Sequence, residues 1–153
     1  MAENLEMNMK SVHKRFSAEF FISAWDLIEK KKLTKAEKER MIHLAHASLC
    51  HWLERMDCTD QNLSIGYWQL SRVYSIAGEA ENAIKYAEIC RDHSDKEGVE
   101  NVFLGYAYEA LARAFNGAGE AEKTDVYLSK AKAIAELLGK DDKDQLLKDL
   151  GSI

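Results

Sequence analysis

The sequence predicts an all-α fold of stacked helix pairs, and three observations predict it. Two stretches, 67–83 and 108–124, align without a gap, so that Leu70 answers Leu111, Arg72 answers Arg113 and Gly78 answers Gly119, each pair 41 residues apart. A repeat of that length marks helix pairs too small to bury their own apolar face, which stack into one continuous core. Proline is absent, where about seven or eight are usual for this length. Proline deletes a helical donor and clashes with the preceding turn, so its absence agrees with a nearly all-helical chain. Finally, apolar residues recur at three/four spacing along most of the chain, with no strand-like alternation.

Taken in order, a first helix is expected over about 9–31, along Phe16, Phe20, Phe21, Ala24, Trp25, Leu27 and Ile28. The run Lys30-Lys31-Lys32 falls at its end, where positive charge complements the helix dipole. Thr34 with Glu37 three residues on is a capping box that opens a second helix, reaching about Met56 along Met41, Ile42, Ala45, Leu49, Trp52 and Leu53. The capping side chains of 57–62 make a turn. A third helix carries Leu63, Tyr67, Leu70, Val73, Tyr74 and Ala77, and Gly78 stops it. The fourth, about 80–93, presents Ala83, Ile84, Ala87 and Cys90 as small or apolar positions. A break at 94–98 precedes the fifth, with Val102, Phe103, Tyr106, Leu111, Ala114 and Phe115, which ends near Gly119. The sixth carries Val126, Leu128, Ala131, Ile134 and Leu138 and ends at Gly139. Asp141 is expected to cap a short seventh helix with Leu146, Leu147 and Leu150. The result is one domain over 1–153: hairpins of about 9–56, 60–94 and 98–138, and a capping helix of about 141–150.

Bulk properties narrow the function. A chain of 153 residues with 46% hydrophobic and 31% charged residues suits a globular protein with one core rather than a disordered segment. Its net charge of −5 argues against general nucleic-acid binding. No apolar run approaches the roughly 18 residues of a membrane helix, and the acidic start lacks the apolar core of a secretory signal. Three cysteines, an odd number, point to reduced thiols in a cytoplasm.

The two aligned segments resemble tetratricopeptide (TPR) repeats. The first supplies Tyr67, Leu70, Ser71, Tyr74, Gly78, Ala83, Ala87 and Cys90 at the family's positions, the second Tyr108, Leu111, Ala112, Phe115, Gly119, Thr124, Leu128 and Ala131. The terminal proline of the family pattern is missing, Thr124 and Cys90 stand at small positions, and the period exceeds the family's roughly 34 residues. The clear match covers about 63–132. The resemblance implies a right-handed stack of antiparallel helical hairpins. The strings Ala45-His-Ala-Ser48, His51-Trp52, 68–74 and 108–113 also resemble a group of bacterial TPR-like proteins, which implies a bacterial cytoplasmic origin and no particular chemistry.

In TPR folds the first helix of each pair lines a concave groove. The positions two before and two after the repeat Leu then face it: Trp68 and Arg72 in one repeat, Glu109 and Arg113 in the next, with Tyr106 one turn earlier. Two arginines in repeat register suit a bidentate clamp for a carboxylate or phosphate. The same residues also fit a purely structural arrangement, with Glu109–Arg113 a surface ion pair and Trp68 stacked on Arg72.

A second constellation, His43, His46, Cys50, His51 and Glu54, has zinc-ligand types at helical spacing. It lacks any HExxH or paired CxxC signature, and Cys50 fits equally as a small buried residue. The bland alternative is that these histidines hydrogen-bond across helix contacts. Ser48 and Ser71 have no nucleophile-elbow glycines, Cys50 and His46 have no orienting third group, and no phosphate loop is present. The expectation is a non-catalytic binding module without cofactor or metal. It would take a protein or peptide partner, or a small anionic ligand, at Trp68, Arg72, Tyr106, Glu109 and Arg113. The rivals are a structural homodimer closed around Trp25 and Trp52, and a metal-dependent sensor or enzyme on the His/Cys helix.

Overall fold

The computed structural model describes residues 1–153. It contains seven α-helices and no strand: α1 (Ala2–Ile28), α2 (Lys35–Leu53), α3 (Asp60–Ala77), α4 (Ala80–Ser94), α5 (Asn101–Gly117), α6 (Ala121–Ala135) and α7 (Lys140–Leu150). No helix is long and apolar enough to cross a membrane.

Helix ends follow side-chain chemistry. Thr34 and Glu37 form the expected capping box at α2, and Thr59 with Asn62 forms a second one at α3. Gly78 and Gly119 sit in equivalent turns. Their φ angles are 83° and 76°, in the left-handed region that favours glycine. In each turn the glycine N–H reaches back three residues, to Ser75 or Asn116, and the next N–H reaches back five, to Tyr74 or Phe115. That pair of bonds is the Schellman motif, which satisfies carbonyls the helix end leaves open.

Some boundaries differ from the sequence expectation. Helix α1 begins at Ala2 rather than near residue 9, because residues 2–10 are exposed but include the good helix formers Ala2, Leu5, Glu6, Met7, Met9 and Lys10 and no breaker. It ends at Ile28, so Lys30-Lys31-Lys32 lies just past its last turn rather than in it, and Lys30 pairs with Glu37 of α2. Helix α2 stops at Leu53, leaving Met56 outside it and 90% exposed. Helix α6 stops at Ala135, four residues short of Gly139. Gly139 is the N-cap of α7, and Asp141 lies in that helix's first turn, where its charge suits the dipole without capping. Val126, expected to face inward, is exposed.

Chain neighbours pack antiparallel. Ser17 and Ser48 meet across α1 and α2, and Lys30 meets Glu37 at the same pair's other end. Ser71 donates to the Ala83 carbonyl across α3 and α4, while Ser64 meets Ser94. The backbones of α1, α3, α5 and α7 also approach one another in sequence, whereas those of α2, α4 and α6 stay further apart, and α2 meets α4 through side chains such as His46 against Tyr86. The core runs through these layers as Ala24, Met41, Ala45, Leu49, Leu70 and Val73, then Ala87, Ala110, Leu111 and Phe115, then Ala131, Ala135, Leu146 and Leu150.

The repeat extends beyond the aligned stretches to Tyr86 and Tyr127, which are also 41 residues apart. Tyr74 stacks on Tyr86 at 5.5 Å between ring centres, and their counterparts Phe115 and Tyr127 stack at 5.6 Å. Tyr67 and Tyr108 flank the two stacks in the same way, 6.2 and 6.0 Å from Tyr86 and Tyr127. The aromatic positions thus fill equivalent holes in two successive layers.

Candidate functional site

A cavity of about 540 Å³ opens on the odd-numbered helices, within the usual range for small-molecule pockets. Helix α3 contributes Ser64, Ile65, Trp68 and Arg72, and α5 contributes Phe103, Tyr106, Glu109 and Arg113. Spacings of three and four keep each set on one face of its helix. The C-terminal part of α1 adds Trp25, Ile28 and Glu29, and α7 closes the far end with Gln145 and Asp149. All five residues singled out in the sequence, Trp68, Arg72, Tyr106, Glu109 and Arg113, therefore line one cavity.

Glu109 organises this wall. It is 2% exposed, and both its oxygens are used. Arg113 Nε donates to Oε1 at 2.7 Å, and the indole Nε1 of Trp68 donates to Oε2 at 3.2 Å. Trp68 and Glu109 hold the same repeat position, so this bond ties successive helices directly. The expectation of a surface Glu109–Arg113 pair fails because a carboxylate so buried needs a fixed cation and a second donor. Trp68 is not stacked on Arg72; it lies 5.6 Å from Trp25 and edge-on to Tyr106.

Arg113 is also anchored away from the cavity. Its Nη2 donates to the Asp149 carbonyl at 3.2 Å and to Ser152 Oγ at 2.9 Å. A cation at that end of α7 offsets the helix dipole. Tyr106 donates to Asp149 Oδ2 at 3.0 Å, and Gln145 also reaches this carboxylate. Burial, and then the bond to Asp149, raise the Tyr106 phenol well above its ordinary range. Trp25 Nε1 donates to Glu29 at 3.0 Å.

Arg72 differs from all of these. It is half-buried at the cavity and makes no hydrogen bond or ion pair. Burial first, and then the positive charge of Arg113, push its pKa down, opposed by Glu109 and Asp149. The two arginines therefore do not form a symmetric clamp: Arg113 is held by protein groups, and Arg72 is the one charged lining residue without a partner.

Sequence reasoning missed the contributions of α1 and α7. Ile65 and Phe103 lie three residues before Trp68 and Tyr106, so helical spacing alone carried a signal for them. Trp25, Glu29, Gln145 and Asp149 reach the cavity only through tertiary packing.

The histidine helix does not converge on a point. His46 Nε2 pairs with the Tyr74 hydroxyl at 2.9 Å, and His51 Nδ1 faces His13 Nδ1 at 2.9 Å. His43 and Cys50 are exposed, so Cys50 is not a small buried residue. No three His, Cys, Asp or Glu side chains come close enough to hold a metal. The hydroxyls of Ser48 and Ser71 donate to backbone carbonyls of Ser17 and Ala83. The buried Cys90 donates to the Ser64 carbonyl, and burial pushes its thiol up to about 12. Trp52, one of the two tryptophans of the homodimer alternative, is covered by the Arg55 guanidinium at 3.7 Å.

No protein-family profile, no curated protein and no solved structure matches this chain.

Proposed function

We propose that the chain is a non-catalytic, TPR-like binding module of a bacterial cytoplasm, whose groove holds an anionic peptide segment or a small acidic ligand at Arg72. In this reading the helices form a right-handed stack of three antiparallel hairpins, α1–α2, α3–α4 and α5–α6, with α7 as the cap. Three features support that arrangement: the equivalent Schellman turns at Gly78 and Gly119, the duplicated aromatic stacks, and backbones that approach one another among the odd-numbered helices but not among the even-numbered ones. In this reading the closer approach on the odd-numbered side curves the stack toward that side, and the cavity lies in its concave face.

The observation that carries the functional reading is the unpartnered Arg72 guanidinium in a cavity where every other charged side chain is paired. Removing a cation from water without an ion partner is unfavourable, and an incoming anion relieves that cost through charge-assisted hydrogen bonds. A thermal-shift screen of small carboxylates, phosphates and acidic peptides tests it. The reading expects anions that raise the melting temperature of the wild type, less so at high salt, and leave Arg72→Met unaffected. Equal stabilisation of both proteins contradicts it.

A second reading, self-association, draws on a different observation. The first ten residues of α1 are all exposed, Leu5, Met7 and Met9 among them. Sedimentation analysis of the wild type beside Leu5→Lys/Met9→Lys tests it: a dimer lost in the variant supports it, and a monomeric wild type removes it.

A further inference from the structure

Resting on the reading of Arg72 as an anion site, we infer that the cavity takes a small molecule carrying one carboxylate on a flat aromatic body. The polar census of the walls decides the charge. Both indole N–H groups, the Tyr106 phenol and the Arg113 guanidinium are already committed to Glu29, Glu109 and Asp149. Arg72 alone lacks a partner, so one negative group completes the site. A second negative charge meets no free cation and stands among three carboxylates. That favours a carboxylate over a dianionic phosphate, and leaves the phosphate repelled.

The same census separates a small molecule from a peptide. Each peptide unit brings an N–H and a C=O that need partners once buried. Besides Arg72, the walls leave only Arg113 Nη1 and part of the Gln145 amide without an acceptor, so an extended peptide would lose hydration along most of its backbone without replacement. The remaining lining is aromatic: Trp25 and Trp68 lie tilted by 33°, Tyr106 stands edge-on to Trp68 at 84°, and Phe103 adjoins. Rings in such offset and edge-on arrangements reward a planar π-surface beyond the area it buries, which an alkyl chain does not match. The volume of about 540 Å³ accommodates a fused two-ring body with its acid group.

Indole N–H resonances give the readout, because Trp25 and Trp68 line the cavity while Trp52 lies outside it. Full-length protein is titrated with 2-naphthoate, 2-naphthamide, decanoate, 2-naphthyl phosphate and a glutamate-rich heptapeptide. Expected is saturable movement of the Trp25 and Trp68 signals by 2-naphthoate, with Trp52 still. Its affinity should exceed that of each other probe by about tenfold or more, and fall by about tenfold or more in Arg72→Met. The melting curve of Arg72→Met, unchanged or higher, shows that this variant is folded. If the heptapeptide, the phosphate or decanoate binds through Arg72 as well as 2-naphthoate or better, the aromatic monocarboxylate assignment falls while the anion site stands. Naphthamide matching naphthoate, undiminished binding in Arg72→Met, or no probe moving Trp25 and Trp68 overturns both.

Discussion

Arg72 and Arg113 hold the same repeat position on α3 and α5, yet Arg113 makes three hydrogen bonds within the protein and Arg72 none. The sequence equates them; the structure gives one a scaffold role and leaves the other open. Glu109 causes the difference, because the counterpart of this carboxylate one repeat earlier is Trp68, which brings no charge for Arg72.

Opposite stability effects follow for the two arginines. Arg113→Met leaves the buried Glu109 with a single neutral donor and uncaps α7, and is expected to cost about 3–5 kcal/mol. Arg72→Met removes an unpaired, half-buried cation and is expected to leave stability unchanged or raise it, as residues kept for binding often do. Urea unfolding of both variants checks this, and equal destabilisation would remove the distinction between them.

The layer positions of Leu70 and Leu111 are both fully buried. Truncation of either to Ala should destabilise by about 2–5 kcal/mol, since neighbours from several helices can collapse only partly into the space. Chemical denaturation checks this; a loss well under 1 kcal/mol at both would refute the shared layer.

Gly78 and Gly119 have open space where a Cβ would stand, so Ala there meets no steric contact. The penalty is conformational: a left-handed backbone costs a non-glycine residue about 1–2 kcal/mol. Gly78→Ala and Gly119→Ala should lose that amount alike, whereas Gly117→Ala, equally open but at negative φ, should lose nothing. Denaturation midpoints of the three variants decide it.

His46 predicts an acid-sensitive core. Burial first, then His43 and Lys85, hold its pKa below the ordinary 6.5. The folded state therefore binds fewer protons than the unfolded state. Its contribution is fully present above about pH 6.5 and is lost as pH falls from there through the folded value. The melting temperature should decline between pH 7 and pH 5, and His46→Gln, which can keep a bond to Tyr74, should flatten part of that decline. The remainder falls to His51, lowered by burial and by His13. A wild type and variant with parallel pH profiles would contradict the assignment.

The fold was legible where local chemistry fixes it. Periodicity, the Thr34–Glu37 box and the two glycine turns depend on residues a few positions apart, and the structure places them as expected. Boundaries failed where no local signal stops a helix: nothing at 2–10 prevents helical turns, and Gly139 suits the start of α7 as well as the end of α6. In the cavity, helical spacing brought Trp68, Arg72, Tyr106, Glu109 and Arg113 together. The burial of Glu109 and the closure by Asp149 depend on how α5 and α7 pack, which no spacing within one helix encodes.

The arginine side-chain Nε–H signals report on the two guanidinium groups separately, and so distinguish an anion at Arg72 from one at Arg113. The protein is titrated with 2-naphthoate and, in a second series, with the glutamate-rich heptapeptide, each at low and high ionic strength. The Arg72 signal is expected to move and saturate with at least one of these anions, more weakly at high salt. The Arg113 signal, fixed by Glu109, should stay in place. An Arg72 signal that remains still in both series, or an Arg113 signal that moves in its stead, would rule out an anion site at Arg72.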